Sequence, residues 1–501
     1  MTSQQGVVLA IDQGTTGSTA LVIAHDLQVL ARVNAEFPQI YPQPGWVEHD
    51  PEDIWRSVGD TVRRALAMAD VDASAVRAVG ITNQRETSLF WDRATGAPIH
   101  NAIVWQCRRT ADVCQRLRDE GHLERVRRAT GLVLDPYFSA TKAAWTLDHV
   151  PGARARAERG ELAFGTIDSF LLWRLTGGAV HVTDVTNASR TSLLDIRRVA
   201  WDPGLLELFD VPAAVLPEVR SSSEIYGHTR GLDFLPDGVP IAGIAGDQQA
   251  ALFGQACYGA GDAKCTYGTG AFVLMNTGAA VPTSEHGLLS TIAWRLGDAE
   301  TIYALEGSVF IAGAAVQWLR DALEVISTAP DVEALARSVP DSGGIVVVPA
   351  FAGLGAPYWD ADARGAVLGL TRGSGRGQLA RATLDSIAQQ VADVVEAMSA
   401  DAGRQLTGLR VDGGAAANDL LMQMQADLLG SEVVRSAVLE TTGLGAAFLA
   451  GIGTGFWSGP DEVAARWRSD ASFEPQVEAA ERQARRSRWK AAVDRIRGPI
   501  G

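Results

Sequence analysis

Cysteine is scarce in this chain: four among 501 residues, at Cys107, Cys114, Cys257 and Cys265, with no C-x-x-C spacing. So few thiols cannot staple a chain of this length, which excludes a disulfide scaffold and leaves reduced thiols in a cytoplasmic setting as the expectation. Long apolar runs are missing as well. The best candidate, Leu444 to Trp457, is broken by glycines and falls short of the ~18 residues of a membrane span, so no stable membrane insertion is expected. Met1 to Gln5 are polar and carry neither the basic nor the apolar region of a signal peptide. No basic tract offsets a net charge of −15, which disfavours a nucleic-acid partner and requires that any anionic ligand be held by local donors. Hydrophobic residues at 47% and charged residues at 21% match ordinary soluble usage, so disorder and fibrous repeats are excluded. At roughly 100–200 residues per domain, the length predicts two to four domains with full cores.

What is present is a set of apolar strands that end in polar clusters. Val7 to Ile11 reads as a buried strand, Asp12 to Gly17 as a turn and Ser18 to Ile23 as the returning strand. Glycines at such a tip let backbone N–H groups converge on a phosphate, the Thr15 and Thr16 hydroxyls add donors, and Asp12 could hold a hydrated Mg²⁺. An ordinary hairpin explains the same residues equally well. Asp50 and Pro51 open a helix whose Ile54, Val58, Val62, Ala65 and Leu66 share one face. Val76 to Ile81 is another strand, ending in Thr82-Asn83-Gln84-Arg85-Glu86. Polar side chains directly after a buried strand are costly unless they line a site, and strand ends in open α/β sheets face the ligand crevice. Arg85 brings a donor fork and Glu86 an acceptor pair, the combination that grips adjacent hydroxyls of a polyol. Trp105 and Tyr137 can pack against carbons with their polar tips on oxygens, although each taken singly reads as core. Ile241 to Gly246 then delivers Asp247, Gln248 and Gln249 to a helix start. A carboxylate there is a general-base candidate, while in isolation a helix cap is the commoner reading.

A glycine-rich passage, Gly254 to Gly261, divides residues 1–254 from 255–501. The first pattern then recurs. Lys264 to Tyr267 leads into Gly268-Thr269-Gly270, and Ala271 to Met275 returns as a strand. Leu409 to Val411 ends at Asp412-Gly413-Gly414, much as Val79 to Ile81 ends at its own polar cluster. Two such halves predict a duplicated domain closing on a nucleotide, with Asn418 in reach of base or ribose and a helix from Asp419 to Leu429 stopped by Gly430.

Taken together, Asp12 to Thr16, Asn83 to Glu86, Gly246 to Gln249, Tyr267 to Gly270, Phe351 to Trp359, Val411 to Gly414 and Glu440 to Thr442 resemble the FGGY carbohydrate kinases over nearly the whole chain. The Asn-Gln-Arg-Glu cluster and the Ala-Pro-Tyr-Trp segment point, within that family, to glycerol as substrate. The resemblance implies an α/β fold of two ribonuclease-H-like domains, as in actin and hexokinase, around a nucleotide cleft. Residues 1–254 would carry the first phosphate loop and the polyol pocket, and 255–501 the second phosphate loop and the adenosine site. It implies ATP and Mg²⁺ as cofactors and glycerol and Mg·ATP as partners. A homo-oligomer, dimer or tetramer, is the expected assembly. Carried over position by position, Arg85, Glu86, Tyr137, Asp247 and Gln248 would bind glycerol hydroxyls, with Trp105 and Phe272 beside its carbons. Thr15, Thr16, Gly17, Thr269, Gly313, Gln317, Gly414 and Asn418 would hold the nucleotide. Asp12 and Asp247 would hold Mg²⁺ through water, and Asp247 would accept the proton of the attacking hydroxyl.

Two departures from the family pattern stand out. The first loop continues Gly17-Ser18-Thr19 where an arginine that contacts phosphate is usual at the third position, and Gly443 follows Thr442 where alanine is usual, which loosens a helix start. Without another cation, such as Lys264 or Arg109, phosphate binding should be weaker and Thr19→Arg should lower the KM for Mg·ATP several-fold. A kinase for another polyol or a ketopentose is the alternative within the class. An actin-like or chaperone-like nucleotide switch is the alternative outside it, disfavoured because a switch has no need of the Arg85, Glu86 and Asp247 pocket.

Overall fold

Val7–Gln13 (β1), Gly17–Ile23 (β2) and Val29–Glu36 (β3) form an antiparallel meander at one side of a six-stranded sheet. Its remaining strands are Val76–Asn83 (β4), Ser223–His228 (β5) and Pro240–Gly246 (β6), giving the order β5-β6-β4-β1-β2-β3. The geometry is that of a computed structural model, which describes residues 6–360 and 362–498. Met1 to Gln5, read above as polar, lie outside the described residues. β1, β4 and β6 run parallel and are covered on both faces, which is why they read as continuous apolar runs rather than alternating ones.

The second half repeats the plan. Asp262–Tyr267 (β7) and Ala271–Gly278 (β8) make an antiparallel hairpin, followed by Leu289–Trp294 (β9), Ile302–Val309 (β10), Gly408–Asp412 (β11), Val433–Ser436 (β12) and Ser469–Phe473 (β13). The seven strands order as β9-β10-β8-β7-β11-β12-β13. With β5 and β9 set aside, the two sheets share one core in which the first strand pairs antiparallel with the second and parallel with the fourth, in the order third, second, first, fourth, fifth: β3-β2-β1-β4-β6 and β10-β8-β7-β11-β12. This is the ribonuclease-H-like arrangement, duplicated, as the recurring motifs predict.

The helices follow their sequence signals. Pro51–Met68 (α1) starts where the Asp50 side chain accepts the Glu52 amide, and it buries Ile54, Val58, Val62, Ala65 and Leu66 against the first sheet. Two further helices, Asp247–Gly254 (α2) and Thr441–Gly453 (α3), lie between the sheets. They share a core with Val8, Ala10, Leu21 and Ile23 of the first sheet and Leu274 and Ala304 of the second. Their contact depends on missing side chains: a Cβ on Gly445 would sit 1.8 Å from the Ala250 carbonyl oxygen, and one on Gly80 2.2 Å from that of Ala446. The apolar, glycine-broken run from Leu444 is therefore an inter-sheet helix. Among the described residues no helix is long and apolar enough to cross a membrane, and all four cysteines are buried free thiols.

Candidate active site

Strand register brings the polar clusters together. Asp12 lies level with Thr82 on β4 and with Thr19 on β2, while Asn83 lies level with Gly246. The carboxyl ends of β1, β4 and β6 therefore present Asp12, the Arg85 and Glu86 pair, and Asp247 to one crevice. On the facing sheet, Thr266 is level with Phe272 and with Asp412, Lys264 with Leu274, and Leu274 with Glu306. Alternation of side chains then puts Lys264, Thr266, Phe272 and Glu306 on the same face.

Arg85 is the hub. Its Nε lies 3.1 Å from Asp247 Oδ1, its Nη1 and Nη2 donate to Glu306 at 2.5 and 3.0 Å, and Nη2 reaches the Tyr137 hydroxyl at 3.3 Å. Glu86 is gripped through Oε1 by Arg190 Nε at 2.7 Å, and Arg190 Nη2 donates to Glu306 at 3.0 Å. Two arginines and two glutamates, all about 2% exposed or less, thus neutralise one another across the two halves. Burial pushes the Glu306 carboxyl up, but Arg190 and Arg85 outweigh it and hold it well below its ordinary range. Neither Arg190 nor Glu306 was singled out from sequence. The available signal was a lone glutamate inside the apolar strand Tyr303-Ala304-Leu305-Glu306. Arg190, in a polar stretch after the short helix Val185–Ala188, carried no signal of its own.

Asp247 opens α2, and its Oδ1 accepts the Gln248 amide at 2.7 Å as well as facing Arg85. A third of its side chain stays exposed. Burial raises its pKa, with Arg85 opposing. The Gln248 carboxamide oxygen accepts from Lys264 Nζ, which also donates to Thr266 Oγ1 at 3.0 Å. Lys is a donor only, so this bond fixes the amide orientation, and among the described residues nothing accepts from the Gln248 NH₂ group. Trp105 and Tyr137 pack edge to face at 5.4 Å between centroids, and Trp105 Nε1 donates to Thr15 Oγ1 at 2.9 Å. The aromatic wall and the first loop are therefore one hydrogen-bonded unit.

That loop closes with the Gly14 amide on the Gly17 carbonyl at 2.9 Å, leaving Thr16 exposed. Gly17 is buried against β3, where a Cβ would meet the Ala35 carbonyl oxygen at 2.6 Å, so this position is set by backbone packing. The second loop, Gly268 to Gly270, docks on the helix Gly313–Asp321: the Gly313 and Ala314 amides donate to the carbonyls of Gly268 and Thr269 at 3.0 Å. Gln317 is exposed one turn along from Gly313. Gly413 has φ +87° with the Tyr267 carbonyl oxygen 2.4 Å from a built Cβ, so only glycine fits there, and Gly414 follows in open space. Asn418 caps Asp419–Leu429, its Oδ1 accepting the Leu421 amide at 2.9 Å, so only its NH₂ end is left for a nucleotide.

The structure corrects two sequence-based expectations. Arg109 is no phosphate cation: it pairs with Glu48 at 2.6 Å and is sandwiched by Trp46 and Trp145 at 4.0 and 4.4 Å. Thr19 is nearly buried on the Asp12 face, its hydroxyl accepting from Asn34 at 3.0 Å, so the threonine itself offers no exposed phosphate donor. The Ala356 to Trp359 segment, which serves above only as a family motif, is held by Tyr358 donating to Asp393 at 2.9 Å and Trp359 donating to the Gly287 carbonyl.

Asp12 has the donor chemistry of a Mg²⁺ site. It is the next-to-last residue of β1, with its carboxyl raised to about 7, by burial first and by the Asp247 charge second, with Arg32 opposing. The Asp247 charge thus adds to the cost of ionising Asp12, a cost that a hard divalent cation held between them would relieve.

These features define a two-domain carbohydrate kinase architecture, and the family profiles agree: FGGY family of carbohydrate kinases, N-terminal domain, over residues 7–254, and C-terminal domain over 263–454. The chain belongs to the FGGY family of carbohydrate kinases. It is 61% identical to a glycerol kinase of Aromatoleum aromaticum over 98% of this chain and 99% of that one, and 57% identical to one of Symbiobacterium thermophilum over 99% of both. The crystal structure of Plasmodium falciparum glycerol kinase with ADP superimposes with a TM-score of 0.93 at 36% identity, covering 98% of both chains. A gluconate kinase from Lactobacillus acidophilus shares the fold, at a TM-score of 0.86 and 21% identity over 97% of both chains.

Proposed function

We propose that the chain transfers the γ-phosphoryl group of ATP to a terminal hydroxyl of glycerol, giving sn-glycerol 3-phosphate. The observation that carries the reading is its 57–61% identity to glycerol kinases over nearly their whole length, joined to a crevice in which Arg85, Glu86, Tyr137 and Asp247 face one small space. Glycerol needs donors and acceptors for three adjacent hydroxyls and apolar cover for its carbons. Glu86 Oε1 is taken by Arg190, so Oε2 accepts from one hydroxyl. The 3.3 Å contact of Arg85 Nη2 with Tyr137 is longer than the 3.0 Å bond of the same nitrogen to Glu306 and is the one a substrate oxygen replaces. The free Gln248 NH₂ group supplies a further donor. Trp105 and Phe272 supply the apolar cover.

The attacking hydroxyl gives its proton to Asp247 Oδ2, since Oδ1 is held by Arg85 and the Gln248 amide. A carboxylate whose pKa burial has raised is a better base than an ordinary aspartate. The Gly14 to Gly17 and Gly268 to Gly270 loops hold phosphates through backbone amides with Thr15, Thr16 and Thr269, while Gly313, Gln317, Gly414 and Asn418 line the rest of the nucleotide. Asp12 and Asp247 would hold Mg²⁺ through water, which when bound neutralises phosphate charge. In this reading residues 1–254 carry the polyol pocket and 255–501 the adenosine site, the enzyme is cytoplasmic, and it works as a dimer or tetramer, which sedimentation would measure. A coupled assay of ADP release with glycerol, erythritol, xylulose and ribulose tests the substrate. Glycerol should exceed the others by at least tenfold in kcat/KM, and a preference for a ketopentose would overturn the assignment.

A further inference from the structure

The mouth of the first phosphate loop is acidic. Asp12, Asp247 and Glu440 all act on this space, and a nucleotide brings more negative charge to it. The cations of the crevice are mostly committed elsewhere: Arg85 and Arg190 are neutralised by Glu86 and Glu306, and Lys264 is buried in bonds to Gln248 and Thr266. Arg32 differs. It lies on β3 level with Leu21, two residues from Asn34, and Asn34 is level with Thr19, which is level with Asp12. Alternation along the strands then puts Arg32 on the same face as Asn34, Thr19 and Asp12. Its Nε lies 2.7 Å from Glu440 Oε1, and its side chain is 49% exposed, so it is within reach of solvent and of a ligand.

We propose that Arg32 is the phosphate-binding cation of this chain, serving from the third strand the role that an arginine at position 19 would serve from the second. Thr19 leaves the space beside Asp12 uncharged, its hydroxyl tied to Asn34. The long Arg32 side chain is held by Glu440 until a nucleotide phosphate oxygen takes over part of its hydrogen bonding. An arginine fork suits this exchange because it can keep one acceptor while engaging another. The Thr19→Arg gain expected from sequence therefore arises only where Arg32 is absent.

The inference rests on the reading of Gly14 to Gly17 as a nucleotide phosphate loop, and the experiment separates the two. Calorimetric affinity for Mg·ADP and steady-state kinetics with glycerol are measured for the wild type, Arg32→Ala, Arg32→Lys, Thr19→Arg and the double variant Thr19→Arg/Arg32→Ala. Arg32→Ala should weaken Mg·ADP and raise the KM for Mg·ATP about tenfold, the low end for a charge-assisted hydrogen bond once half-exposure is allowed for. Glycerol KM should change less than twofold. Arg32→Lys should recover part of the loss, and Thr19→Arg should recover most of it in the Arg32→Ala background while adding less than twofold to the wild type. Unchanged nucleotide affinity in Arg32→Ala overturns the proposal, as does a loss that neither Arg32→Lys nor Thr19→Arg repairs, which would make Arg32 a strut for Glu440. A wild type that neither binds Mg·ADP nor phosphorylates glycerol would overturn the functional reading itself.

Discussion

Asp247 Oδ1 carries two bonds, from Arg85 Nε at 3.1 Å and from the Gln248 amide at 2.7 Å, and an asparagine would keep both through its carbonyl oxygen. Asp247→Asn should therefore bind glycerol and Mg·ADP normally while losing kcat by the ~10²–10⁴-fold typical of a general base; turnover above a tenth of wild type would remove the residue from that role. Glu306 makes a different case, because it touches no substrate in this reading and acts by holding Arg85 and Arg190. Glu306→Gln leaves excess positive charge buried, a change that costs about 3–5 kcal/mol when one partner of a buried pair is lost. Thermal unfolding should fall accordingly. Glycerol KM should rise more than the KM for Mg·ATP, because the displaced guanidinium is the one that faces the polyol. Equal changes in both would assign Glu306 to stability alone.

Helix α3 shows how a single position is decided between elements. A Cβ on Gly443 would stand 2.3 Å from Leu21 Cδ1, and Leu21 is fully buried on β2. The glycine that loosens the helix start is thus required by the leucine beneath it. Gly443→Ala should destabilise by roughly 1–3 kcal/mol through overpacking, despite the better helix propensity of alanine. Leu21→Val removes the clashing methyl-bearing branch tip, so the double variant Leu21→Val/Gly443→Ala should recover most of the loss. Denaturant midpoints of the four proteins in this cycle check the coupling; additive effects would show that the two residues do not share the space.

At the scale of the whole molecule, pH acts through buried groups. His49 is buried, and burial lowers its pKa to about 4. Its Nε2 donates to Gln39 at 2.8 Å, and Gln39 in turn donates to the Thr15 carbonyl at 3.1 Å, so a neutral imidazole props the first loop. Since the unfolded chain takes up the proton near pH 6.5 and the folded one near 4, this contribution is complete above 6.5 and is lost as the pH falls through that window. The stability difference between wild type and His49→Asn should therefore shrink by roughly 1–3 kcal/mol between pH 7 and pH 4. A difference constant with pH would mean that His49 protonates freely in the folded state.

Much of this molecule was legible along the chain because its signals are local. Strand, glycine turn and strand occur twice in sequence, and both copies form the hairpins that open each sheet. Asp50 and Gly430 mark helix ends by hydrogen bonds and backbone angles confined to a few residues. The Arg85, Glu86 and Asp247 pocket was legible because polar residues directly after buried strands must face a crevice. What the sequence could not supply depends on register between distant strands. Glu306 meets Arg85 across 221 positions and Arg190 across 116, and nothing local distinguishes that glutamate's partner. Arg32 looks like one surface arginine among many until strand alternation sets it on the same face as Asn34, Thr19 and Asp12. Segment composition fixes which elements form and where each chain end turns polar; only the packing of one sheet against the other decides which charges share a low-dielectric space, because that is where leaving one unpaired costs most.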